Sequence, residues 1–81
     1  MKKLKYSTVA RYSSREIWTA VLRRSDEYRL EPGGKIFALA GDHYEYHASA
    51  DYDRRLAIDA LLGLDAIDLS PVGAYRLVME S

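Results

Sequence analysis

The sequence predicts a small α+β domain, and three observations carry that prediction. Segments of period-two alternation and segments of helical spacing follow one another as strand, helix, strand, strand, helix, strand. A two-residue turn signal, Gly41-Asp42, joins the two middle strands. At 81 residues the chain has room for one hydrophobic core, so residues 1–81 read as a single domain. Two split β-α-β units in that order build the ferredoxin-like βαββαβ sandwich, one antiparallel sheet with two helices on one face. The alternative counts Glu27–Glu31 as a further strand and gives an antiparallel meander packed on two helices.

Leu4–Tyr12 alternates, with Leu4, Tyr6, Thr8, Ala10 and Tyr12 on one side and Lys3, Lys5, Ser7, Val9 and Arg11 on the other, which predicts the first strand. Ser13-Ser14-Arg15-Glu16 then matches a capping box, in which the Ser and Glu side chains satisfy each other's free N–H groups. The helix it opens is expected to run to about Ser25, with Ile17, Trp18, Val21 and Leu22 as its apolar stripe and Trp18 as a core anchor. Pro32-Gly33 suits the central positions of a type II turn. Pro32-Gly33-Gly34 is not a phosphate-cradling loop, because it lacks the Lys-Ser/Thr of that motif and precedes a strand.

Lys35–Ala40 and His43–Ala48 flank the Gly41-Asp42 turn, and a two-residue loop fixes their register. Ala40 opposes His43, Leu39 Tyr44, Ala38 Glu45, Phe37 Tyr46, and Ile36 His47. One side of the hairpin therefore carries Phe37, Leu39, Tyr44 and Tyr46, the other Ile36, Ala38, Ala40, His43, Glu45 and His47. The aromatic side is expected to be core, and the His-Glu-His side to meet water or a partner. A second helix is expected over roughly Tyr52–Leu62, capped by Ser49 or Asp51 and ended by Gly63. It would bury Ala57, Ile58, Leu61 and Leu62 and pair Asp51 with Arg55. Asp65–Ser70 reads as a connection and Val72–Met79 as the last strand, with Arg76 on the open face.

The formal net charge of zero conceals a dipolar chain: residues 1–25 hold seven basic side chains against one acid, residues 26–81 five against eleven. The absence of cysteine excludes disulfides, thiolate metal sites and a thiol nucleophile. No apolar run follows the Lys-rich start, and no stretch is long enough to cross a bilayer, so the expectation is a soluble cytoplasmic protein without membrane contact.

His43, Glu45 and His47 alternate on one strand, with Cβ atoms about 6–7 Å apart. Imidazoles at that spacing can share a metal, but a structural zinc site needs about four ligands and the chain has only two histidines. A histidine paired with Glu45 would need a cavity to act as acid or base, and no Ser-His-Asp arrangement can be argued. No metal, no cofactor and no enzymatic activity are therefore expected. Nucleic-acid binding through phosphate contacts is the alternative function, drawing on Lys3, Lys5, Arg11, Arg76 and the basic first helix. RNA-binding domains of ferredoxin-like fold stack bases on aromatics of the open sheet face, whereas this register sends Phe37, Tyr44 and Tyr46 the other way. Exposing them would bury His43, Glu45 and His47 at a heavy desolvation cost. Phenol rings of Tyr44 and Tyr46 in solvent, with the imidazoles beneath a helix, would favour an RNA-stacking platform instead.

Seven tyrosines against one phenylalanine point to protein contact, because tyrosine joins a large apolar area to a polar tip. Tyr44, Tyr46 and Tyr75 are expected in the core, Tyr12, Tyr28 and Tyr52 nearer the surface. The expected function is a stand-alone regulator or inhibitor that occludes a surface of a larger protein or nucleoprotein complex, a kind of protein frequent in phages and mobile elements. Its expected contact residues are Lys5, Arg11, Tyr12, His43, Glu45, His47 and Arg76, and a free strand edge would also allow a homodimer.

Overall fold

The Leu4–Tyr12 alternation does not become a strand. In the computed structural model, which describes residues 4–64, Tyr6–Val9 forms one helical turn, α1, closed by bonds from the Val9 N–H to the Lys5 carbonyl and from the Ala10 N–H to the Tyr6 carbonyl. Val9, which alternation groups with Lys3, Lys5, Ser7 and Arg11, is fully buried, while Tyr6 from the opposite group is exposed. Thr8 and Ala10 fit a helix as well as a strand, so the alternation held no more than a weak preference. α2, Ser14–Arg24, begins where the capping box places it: Ser13 Oγ accepts from the Glu16 N–H, and Glu16 Oε1 accepts from the Ser13 N–H. Ile17, Trp18, Ala20 and Val21 form its buried stripe.

Three strands follow, β1 (Tyr28–Glu31), β2 (Lys35–Ala40) and β3 (His43–Ser49), paired antiparallel in the order β1-β2-β3. Gly33 has φ +87°, the positive value that the third residue of a type II turn requires, and the Gly34 N–H closes the turn on the Glu31 carbonyl at 3.2 Å. Gly41 supplies the positive φ of the second hairpin. α3 spans Arg54–Gly63 and buries Ala57, Ile58 and Leu61. Its start is not capped by Ser49 or Asp51. Asp53 stands at the cap position and its carboxylate instead accepts from the Ser49 N–H.

The order is thus two helices, three strands, one helix, and the ferredoxin-like alternation is not present among the described residues. The fold is α+β, and the strand at Glu27–Glu31 that distinguishes the alternative reading exists as β1. Asp65–Ser70, Val72–Met79, Tyr75 and Arg76 lie outside the described residues.

The core forms where the helices meet the Ile36 side of the sheet. Val9, Ile17, Trp18, Val21, Ile58 and Leu61 from the helices close on Ile36, Ala48 and Ala50. The expectation that the aromatic side of the hairpin is core is therefore reversed. Trp18 and the branched aliphatics of the helices fill the interior, and small residues on the facing strands let the helices approach closely.

Candidate binding surface

The hairpin register is as the turn dictates from Ala40–His43 through Phe37–Tyr46. It then slips: Ile36 pairs with Ala48 in place of His47, leaving His47 as the extra residue of a β-bulge. The bulge sends both His47 and Ala48 toward the helices. The His47 ring packs edge-on against Trp18, with centroids 6.1 Å apart, and 5.7 Å from Tyr28. Tyr28 completes the cluster 5.6 Å from Trp18, and burial, then the neighbouring Glu27, push its phenol up from the ordinary value. Tyr12 and Tyr28 are half-buried rather than exposed, whereas Tyr52 is 85% exposed as expected.

The opposite face of the sheet is open, and it carries Arg29, Phe37, Leu39, Tyr44 and Tyr46. Tyr46 is 59% exposed and Leu39 46%. Phe37 meets Tyr46 edge to face at 6.0 Å, the cross-strand pairing their register requires. Tyr44 lies across the sheet from β3 to the start of β1, where its hydroxyl donates to the Asp26 carbonyl at 2.6 Å. The Arg29 guanidinium sits 5.0 Å above its ring and 3.3 Å from Glu31. Two of the five side chains, Tyr44 and Arg29, are thus held in place by contacts within the protein.

Of the residues expected from the sequence as contacts, Lys5 and Arg11 flank the α1 turn and are exposed there, and Tyr12 packs against the core. His47 is drawn beneath Trp18. Only His43 and Glu45 are brought together, at the hairpin tip: His43 Nε2 lies 2.9 Å from Glu45 and Nδ1 3.1 Å from Asp42. These bonds, Glu45 first and Asp42 second, hold the His43 imidazole above its ordinary value. The predicted desolvation cost does not arise for His43 and Glu45, whose side chains are 60% and 65% exposed, while His47 is half-buried against Trp18. No group of three His, Cys, Asp or Glu among the described residues is arranged to hold a metal, and no helix among them is long and apolar enough to cross a membrane.

Asp51 pairs with Arg15 of α2 rather than with Arg55. The contact is bidentate, at 2.9 and 3.1 Å, and holds the Asp51 carboxyl below the usual range. Arg55 instead lies 3.9 Å from Asp59.

Sequence reasoning missed Arg29, Phe37, Leu39 and the exposure of Tyr46. The signal that points to them is the small-residue pair Ala48 and Ala50, which with Ile36 marks the side on which the helices approach, so Phe37, Leu39 and Tyr46 face away. No protein-family model matches the chain, and no curated protein or solved structure matches it.

Proposed function

We propose that the chain is a non-catalytic binding module whose contact surface is the open sheet face, and that it acts as a regulator by covering a surface of a larger protein. The exposure of Tyr46 and Leu39 beside the fixed Tyr44 and Arg29 carries this reading. Tyrosine and arginine held in place supply contact area at little cost in rotamer entropy, the character of interface anchors.

The same rings favour a second reading, base stacking by a single-stranded nucleic acid. Charge ranks it lower. Residues 26–49, which contain the sheet, hold five acids (Asp26, Glu27, Glu31, Asp42 and Glu45) against Arg29 and Lys35. The cations Arg15, Arg23 and Arg24 belong to α2, in the layer behind the sheet. The cations of α2 thus lie on the other side from the stacking rings, which have only Arg29 and Lys35 beside them, whereas a single-strand site needs a run of cations along the groove.

Affinity capture from the source organism's lysate after nuclease treatment, with the parent chain and Tyr46→Ser in parallel, tests the proposal. A protein retained by the parent and lost by the variant is expected. Equal retention by both, or recovery only of nuclease-sensitive material, refutes it.

A further inference from the structure

We infer that the occupant of the open face is a cationic, apolar segment of a partner protein, with its lysine or arginine over the hairpin tip and its apolar side chains over Phe37 and Tyr46. This rests on the reading of that face as a protein-contact surface and adds the partner's chemistry.

The face is electrically uneven along its length. The Leu39 N–H bonds the Glu27 carbonyl at 2.7 Å and Tyr44 reaches the Asp26 carbonyl, which sets the exposed residues Asp26 and Glu27 beside the Leu39 end. Asp42, in the turn, lies at that same end with His43 against it, while Glu45, opposite Ala38, belongs to the helix side of the sheet. Lys35 stands at the other end, and Arg29 between them is engaged by Glu31 and the Tyr44 ring. A segment crossing the face therefore meets carboxylates at the tip and exposed aromatic surface toward Lys35. Opposite charge at the tip guides encounter and fixes the direction of docking.

Size decides between a segment and a second copy of the chain. Three strands of about six residues present roughly 14 Å by 20 Å of sheet, a few hundred Å². That falls well below the roughly 800 Å² per partner of a stable protein interface, so two such faces stacked together would not hold a dimer. A short segment fits it.

The test is selection of a random-peptide display library on the immobilised full chain, followed by titration of synthetic copies of the enriched peptides. Enriched sequences are expected to combine lysine or arginine with aromatic or aliphatic residues. Their affinity is expected to fall about ten-fold on Tyr46→Ser, several-fold on Glu27→Lys with Asp42→Lys, and with added salt. Enriched peptides that are neutral or acidic but still depend on Tyr46 would overturn the inference and leave the docking reading standing. Peptides that ignore Tyr46, or no peptides at all, would overturn both, as would a homothymidine oligonucleotide as the only Tyr46-dependent ligand.

Discussion

Trp18 is 1% exposed, and its indole N–H is buried with no hydrogen-bond partner among the described residues. A buried donor left unsatisfied costs about 1–3 kcal/mol, the desolvation that no bond recovers. Replacing the indole nitrogen by sulfur removes the donor and keeps the bicyclic shape, so no cavity opens and the Tyr28 and His47 ring contacts survive. Trp18 is the chain's sole tryptophan, which makes biosynthetic incorporation of benzothienylalanine specific to this site. The substituted protein is expected to be more stable by about 1–3 kcal/mol, and each kcal/mol raises the thermal midpoint of a domain this size by about 4–8 °C. Trp18→Ala, which also deletes the ring, is expected to cost about 3–5 kcal/mol. Urea unfolding followed by circular dichroism measures both, since fluorescence is lost with the indole. Unchanged or reduced stability of the sulfur analogue would show that the donor is satisfied, and would refute the reasoning.

The turn and the charged groups yield further tests. Gly33→Ala and Gly34→Ala each place a side chain at positive φ, at about 1–2 kcal/mol. Only at Gly34 would the new Cβ also stand 2.9 Å from the Arg15 guanidinium and 3.3 Å from the Asp51 carboxylate, so Gly34→Ala is expected to be the less stable of the two, and equal urea midpoints would contradict this. Because Arg15 depresses the Asp51 pKa, the pair's contribution is full above the unfolded carboxylate value of about 3.9 and is lost as pH falls through the folded value. Arg15→Gln is expected to return the Asp51 carboxyl, followed by carbon-detected NMR, to the ordinary range. For His43 the sign is opposite: its contribution is full below about pH 6.5 and is lost as pH rises through the raised folded value. Glu45→Gln is expected to lower the NMR titration midpoint of His43 more than Asp42→Asn does.

Local chemistry was the most legible part of the fold. The Ser13 capping box, the two turns and the Leu39–Tyr44 and Phe37–Tyr46 pairings depend on neighbours in sequence, and each stands where the residues put it. What the sequence did not resolve depends on long-range packing. Which side of a hairpin faces a helix is set by the shape of the helix, and Trp18 takes up the volume that the strand aromatics were expected to fill. The bulge at His47 shows the same competition, since one extra residue brings Ala48 onto the helix side beside the imidazole, which packs against Trp18 while Tyr46 stays outward. The α1 turn was misread because Tyr6, Thr8, Ala10 and Tyr12 alternate without a partner strand to pair with among the described residues. Of the contact residues, His43 and Glu45 came from a correct register, whereas Lys5 and Arg11 were placed through a strand that is a helix.

The orientation of the hairpin is tested most directly by comparing the unfolding free energies of Tyr46→Ser and Ile36→Ala. With Tyr46 largely in solvent and Ile36 fully buried, the first substitution is expected to cost no more than about 1 kcal/mol and the second about 2–5 kcal/mol. A costly Tyr46→Ser alongside a tolerated Ile36→Ala would place the aromatic side in the core and contradict the open face on which the proposed function depends.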